Sequence, residues 1–258
     1  MLIILSPAKT LDYQTPVKLK KHTLPEFVPE AAKLIAGLKT LSPQQLAKLM
    51  GLSDQLATLN VGRFRDWSSQ FTAENSKQAL FAFNGDVYDG LDAGTLNTKA
   101  LDFAQAHLRI LSGLYGVLRP FDLMQPYRLE MGTALKNVRG KNLYEFWGER
   151  VTQALKKILD SQKNPVLLNL ASEEYFKVLQ ATNFDCPVVS PIFKDAKAGQ
   201  YKIISFYAKR ARGFMARFVI ENRLTDPAAL KQFNLAGYRY NAAASKPLQP
   251  VFYRAEKN

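Results

Sequence analysis

Several charged and hydroxyl side chains lie in short polar segments between apolar runs, and together they could bind an anion. They are Lys9, Asp86, Tyr88, Arg119, Tyr127, Arg128 and Glu130. Lysine and arginine from separate loops can converge on a phosphate or carboxylate, and a buried carboxyl could then act as acid or base. The open alternative is structural ion pairing, such as Arg128 with Glu130 or Arg119 with Asp122.

A second candidate is a pair of short amphipathic helices over about residues 43–60, joined by an apolar-Gly-apolar turn. This spacing is similar to a helix-hairpin-helix, in which amides at a helix N-terminus bind a duplex phosphate. The predicted contacts are Met50, Gly51, Leu52 and Ser53, extended by Lys48, Arg63 and Arg65. Ser53 stands where the usual hairpin has a second glycine. An ordinary helical hairpin packed on the core is the alternative.

The third candidate is a basic helix predicted over residues 207–223. Its cations Lys209, Arg210, Arg212 and Arg217 have one acidic neighbour, Glu221, so they are candidates for contacting nucleic-acid phosphates. The interleaved apolar residues could stack on bases, but we expect them to lie in the core; they are Phe206, Phe214, Phe218 and Ile220.

Composition indicates which partners, cofactors and cellular location to expect. The 258 residues include 35 Lys plus Arg and 22 Asp plus Glu, a net charge of +13 that indicates either an anionic partner or a basic solvated surface. The single Cys186 and two histidines exclude a Cys/His zinc cage, and we predict no metal or cofactor. We expect a cytoplasmic chain, because the start has no signal-peptide character and no apolar run is long enough for a membrane.

The elements that must position these residues alternate between strands and helices. Apolar runs predict strands at 2–5, 108–111 and 166–170, and a hairpin between 188 and 205. Helical spacing predicts helices over 98–107, 72–83 and 142–160. We therefore predict one compact α/β or α+β domain over residues 1–258, with a mixed sheet surrounded by helices.

Five blocks of the sequence resemble the peroxide stress resistance protein YaaA family. They are Ser6–Asp12, Gly85–Tyr88, Leu111–Gly132, Leu170–Phe176 and Ser205–Leu224. The resemblance implies a cytoplasmic bacterial protein, induced by hydrogen peroxide, that protects DNA and proteins by limiting unincorporated iron. It also implies a compact α/β fold with a positively charged cleft, a helix-hairpin-helix and binding of double-stranded DNA.

Three hypotheses follow. The leading one is a DNA-binding protein of the peroxide response, without a recognisable catalytic motif. The alternative is an enzyme that acts on a small anionic or nucleotide-like substrate in the Lys/Arg/Glu-lined cleft. The third is a stress-linked interaction protein whose positive charge is incidental. A deep pocket gathering the loop residues would favour the enzyme, and an open basic groove beside Gly51 would favour DNA binding.

Overall fold

The computed structural model describes residues 1–179 and 184–256. Its strands are β1 Leu2–Leu5, β2 Thr10–Leu11, β3 Lys77–Gln78, β4 Phe83–Asn84, β5 Leu108–Ser112, β6 Gly116–Leu118, β7 Leu123–Met124, β8 Leu167–Leu170, β9 Val188–Val189, β10 Ile192–Lys197, β11 Gln200–Lys202, β12 Tyr238–Lys246 and β13 Gln249–Arg254. Its α-helices are α1 Val28–Leu38, α2 Pro43–Met50, α3 Asp54–Asp66, α4 Ala79–Ala82, α5 Asp86–Leu91, α6 Thr98–His107, α7 Leu143–Trp147, α8 Arg150–Asp160, α9 Glu173–Phe176 and α10 Ser205–Glu221. The mixed α/β class is confirmed.

The central sheet has five strands in the order β6-β5-β1-β8-β9. Strand β1 is fully buried and runs parallel to both neighbours, pairing Leu5 with Ile110 on one side and with Leu170 on the other. A strand buried on both faces has a continuous apolar sequence, as Leu2–Leu5 does. The chain passes from β1 to β5 on one side and from β8 to β9 on the other, and the carboxyl ends of β1, β5 and β8 lie at one edge.

A second sheet of four strands has the order β11-β10-β13-β12. The predicted hairpin is confirmed for β10 and β11, which pair antiparallel around the turn at Ala198-Gly199, while β9 belongs to the central sheet. Two further two-stranded pairs join β2 to β4 and β3 to β7. No helix among the described residues is long and apolar enough to cross a membrane.

Two predicted helices are wrong in extent. The helical pattern over 142–160 divides into α7 and α8, because Gly148 takes a left-handed φ of 49° between them. The helix predicted over 72–83 is reduced to the single turn of α4. Lys77 and Gln78 form β3 instead, and their buried side chains donate hydrogen bonds to backbone carbonyls of the N-terminal arm, residues 12–21, such as Asp12 O and Leu19 O.

Candidate functional site

A cavity of about 360 Å³ lies at the carboxyl ends of β1 and β8. In an open sheet with parallel strands, ligands bind where the connections from two adjacent strands leave toward opposite sides, and β1 and β8 are those strands here. The lining comprises Ser6–Thr10, Asn84–Tyr88, Tyr127–Glu130, Ser172, Glu174, Tyr175, Lys209 and Arg212.

Hydroxyl groups join the ends of β1 and β8, and a second hydroxyl pair lies at the end of β5. Ser6 Oγ after β1 accepts from Ser172 N after β8 at 2.9 Å, and its hydroxyl lies 3.2 Å from Ser172 Oγ. Tyr88 donates from its hydroxyl to Ser6 O at 3.0 Å. At the end of β5, Ser112 Oγ lies 2.6 Å from Tyr127 Oη. These contacts fix two buried tyrosines against the floor of the cavity, and burial raises the pKa of each phenol well above its ordinary value.

Glu130 is the centre of the charged cluster in the cavity. Its Oε1 lies 3.1 Å from both Nε and Nη2 of Arg128 and 3.5 Å from Lys9 Nζ. Its Oε2 is buried, and no donor among residues 1–179 and 184–256 reaches it. The segment carrying these side chains crosses the end of β5 at Gly113, where a Cβ would lie 2.1 Å from Leu129 O. A larger residue at 113 would therefore displace the cluster.

Helix α10 reaches the cavity because it crosses α5 at close range. A Cβ on Gly213 would lie 1.9 Å from Val87 O, and a Cβ on Gly90 would lie 2.3 Å from Arg210 O. This backbone-to-backbone approach brings Lys209 and Arg212 into the lining beside the start of α5. Arg212 is half-buried and makes no hydrogen bond or ion pair with the described part of the chain. Burial lowers its pKa, an effect that Glu173 partly offsets.

The cavity thus gathers six of the seven side chains predicted for the cleft. They are Lys9, Asp86, Tyr88, Tyr127, Arg128 and Glu130. Arg119 does not join them, because it is held by Asp122 at 2.9 Å and donates to Leu24 O at 2.7 Å. The prediction left out Ser172, Glu174 and Tyr175, which line the cavity from the β8 side. Their position directly after the apolar run at 166–170, a predicted strand, is the feature of the sequence that could have identified them.

The two helices of the predicted hairpin, α2 and α3, are formed as the sequence predicts. Ser42 caps α2 with a complete capping box, Gly51 ends it at φ 60°, and Ser53 caps α3. The Gly51 and Leu52 amides both donate to Ala47 O, so neither is open to a phosphate. Ser53 is exposed, and Met50 and Leu52 are half-buried.

The cations predicted for DNA contact fall into four groups. Lys48, Arg65, Lys209 and Arg210 are exposed, and Arg212 lies in the cavity. Arg63 is half-buried and donates to Asn60 Oδ1 at 3.4 Å. Arg217 is engaged elsewhere: it contacts Glu221 at 2.7 Å and Asp92 at 3.5 Å, and donates to the Leu91 and Asp92 carbonyls.

The apolar residues of α10 divide between core and surface. Ile220 is buried, and Phe214 and Phe218 pack partly buried against the core, as predicted. The prediction is wrong for Phe206, whose surface is 52% exposed and whose ring contacts Tyr207. It lies in the first turn of α10, before the helix reaches the core.

A metal site and a reactive thiol are the remaining kinds of chemistry to consider. Among residues 1–179 and 184–256 there is no group of three or more His, Cys, Asp or Glu side chains that could hold a metal ion. Cys186 is half-buried, and burial raises the pKa of its thiol.

The sequence is similar to that of known proteins over its whole length. The family model described as peroxide stress protein YaaA matches residues 1–244. A UPF0246 protein of Polynucleobacter asymbioticus is 72% identical over 257 residues, covering 100% of both chains. UPF0246 proteins of Ralstonia nicotianae and Paraburkholderia xenovorans are 60% and 58% identical, and the alignments cover 98% of this chain and 99% and 98% of the relatives.

Proposed function

Because the chain belongs to the YaaA family of peroxide stress proteins, also named UPF0246, we propose that it binds duplex DNA during the response to hydrogen peroxide. The binding would use backbone phosphates, with little preference for sequence, since such contacts carry no base information. As the family resemblance implies, the protein would act in the cytoplasm and protect DNA and proteins by limiting free iron.

The observation that carries this proposal is the number of cations without a carboxylate partner. Of the seven cations predicted to contact DNA, six make no ion pair with the described residues, and only Arg217 does. Unpaired cations on a chain of net charge +13 favour a polyanion, because each one that meets a phosphate releases a condensed counterion. Lys209 and Arg210 are consecutive in α10 and both exposed, which makes them the strongest pair.

The hairpin of α2 and α3 gives this proposal a second, weaker support. Lys48 on α2 and Arg65 on α3 are exposed and unpaired within the described chain. With the Gly51 and Leu52 amides already bonded to Ala47 O, a phosphate at this hairpin would have to use the amides from Ser53 onward, at the start of α3.

The test is the salt dependence of duplex binding, measured by fluorescence anisotropy. Substitutions Lys209→Gln and Arg210→Gln together should reduce the slope of log K against log salt by about two, one for each phosphate that is no longer neutralised. Lys157→Gln with Lys163→Gln is the matched control. Lys163 is exposed and lies beside Gln162, whose side chain binds the Met1 amino group at the opposite end of β1 from the cavity.

A third double variant, Lys48→Gln with Arg65→Gln, separates the hairpin from α10. A reduced slope in this variant would include the hairpin in the binding surface, and a wild-type slope would restrict the surface to α10. Equal slopes for the α10 variant, the control and the wild type would refute the proposal that α10 contacts DNA.

An enzyme acting on a small anionic or nucleotide-like substrate is the second candidate. The observation that favours it is the cavity itself, which gathers four cations and three carboxylates from separate segments. They are Lys9, Arg128, Lys209 and Arg212 with Asp86, Glu130 and Glu174. Such a mixture of charges suits a ligand that has both an anionic group and hydrogen-bond donors.

A further inference from the structure

Two charged side chains in the cavity have polar atoms that no described residue contacts. The Arg212 guanidinium has five N–H donors and is half-buried, yet no described residue accepts a hydrogen bond from it. Glu130 Oε2 is buried, and within the described residues it has no donor. Buried polar groups are nearly always hydrogen-bonded, so the buried Oε2 calls for an explanation, and Arg212 lines the same cavity with donors that no described residue uses.

The geometry of the Arg128–Glu130 pair shows which oxygen of Glu130 is left without a donor from the described residues. An arginine that only neutralises a carboxylate commonly binds both oxygens with its two parallel N–H groups. Here Nε and Nη2 of Arg128 both contact Oε1, and Lys9 approaches the same atom. The cluster therefore holds the carboxylate in place while leaving Oε2 for another donor.

We propose that the cavity is a binding site for a nucleoside phosphate. Arg212 would bind the phosphate, and Glu130 Oε2 would accept a hydrogen bond from a hydroxyl of the sugar or an N–H of the base. This inference rests on the second candidate function, a small anionic ligand in the cavity, and not on the proposed binding of duplex DNA to the protein surface.

The remaining lining explains why a nucleoside phosphate fits better than a bare anion. Three buried tyrosines, at 88, 127 and 175, line the cavity together with Val87 and Leu129. A bare phosphate would leave this apolar and aromatic surface uncovered, whereas a base and a sugar would cover it. The volume of about 360 Å³ also lies within the range of small-molecule sites, roughly 300–1,000 Å³.

The test is isothermal titration calorimetry of the full chain with adenosine 5′-monophosphate. Arg212→Gln removes the cation that would meet the phosphate and Glu130→Gln removes the acceptor charge, and each should weaken binding about 10- to 100-fold. Arg223→Gln is the matched control, because Arg223 is exposed and lies outside the cavity lining. Thermal unfolding verifies that each variant is folded, and if Glu130→Gln does not fold, Arg212→Gln alone decides.

Each outcome has a defined meaning. Binding that Arg212→Gln weakens and Arg223→Gln leaves unchanged supports the nucleoside phosphate site. Competition with duplex DNA then identifies the source of the nucleotide: displacement indicates a nucleotide of DNA, and simultaneous binding indicates a free one. If inorganic phosphate or citrate binds and the nucleotide does not, this inference is wrong while the small-anion candidate stands. If none of the three binds, both are wrong, and duplex binding to α10 remains a separate question.

Discussion

Replacing Gly213 by alanine should separate α10 from α5, because the added Cβ has no room. It would lie 1.9 Å from Val87 O and 2.8 Å from Leu91 N, whereas ordinary contact begins at 3.4 Å. The helices must therefore move apart by about 1.5 Å to accept a single methyl group. Both obstructing atoms belong to the backbone, so no side-chain rotation can relieve the clash.

The expected loss of unfolding free energy is about 2 kcal/mol. The clash is with backbone atoms, so the overpacking cost lies at the upper end of the usual range, about 3 kcal/mol, and alanine returns about 1 kcal/mol of helix propensity. For a chain of this size the unfolding midpoint should fall by roughly 4–8 °C. Urea unfolding followed by fluorescence of the buried Trp67 and Trp147 measures the change.

Gly62→Ala provides the matched control, since Gly62 lies inside α3 with nothing within 4 Å of its added Cβ. The same substitution there should raise stability by about 0.4–1 kcal/mol. Gly213→Ala should also weaken binding of adenosine 5′-monophosphate, because α10 carries Lys209 and Arg212. A Gly213→Ala protein as stable as the wild type would refute the reasoning about the crossing, and so would a Gly62→Ala protein that loses as much.

Three further predictions concern single residues outside the cavity. Gly51→Ala should lower stability by about 1–2 kcal/mol in urea unfolding, because Gly51 has a φ of 60° with open space around it; a neutral result would contradict the left-handed turn. Hydrogen bonds from Thr15, assisted by Lys77, lower the pKa of Asp12 to about 2, so its stabilising effect is complete above the unfolded pKa of about 3.9 and is lost as pH falls toward 2. The melting temperature of the wild type should therefore fall more steeply between pH 4 and pH 2 than that of Asp12→Asn, and parallel curves would exclude this effect. Burial raises the pKa of the Cys186 thiol, so its reaction with a disulfide reagent at neutral pH should be much slower in the folded protein than in urea; equal rates would show an open thiol.

Local sequence patterns predict a strand or helix correctly where the residues of that element alone determine its type and its ends. The apolar run at residues 2–5 predicts β1, and the caps Ser42 and Ser53 with Gly51 between them predict the ends of α2 and α3. The pattern fails at 72–83, because the contacts of Lys77 are distant in sequence: it pairs with Met124 of β7 and donates to Asp12 O and Thr15 O. Periodicity within a segment contains no information about such a partner.

The candidate site was predictable in its residue types but not in its arrangement. Arg119 and Arg128 look alike in sequence, each with an acidic residue two or three positions later, yet only Arg128 lines the cavity. The difference arises because the segment with Arg128 crosses the end of β5 at Gly113, while Arg119 is turned toward Asp122 and the Leu24 carbonyl. Strand order decides which loops meet, and strand order is set by long-range pairing.

The two interpretations of Arg128 and Glu130, a structural ion pair or a ligand site, turn out not to exclude each other. The pair neutralises the buried charge of Glu130, which would otherwise destabilise the fold strongly. Yet it uses one carboxylate oxygen, and an unpartnered buried acceptor costs about 1–3 kcal/mol. Against a total stability of about 5–15 kcal/mol, that is a large penalty for a group whose only role is structural. A ligand donor at Oε2 would recover it, so the same atoms that hold the loop in place would also provide free energy for binding.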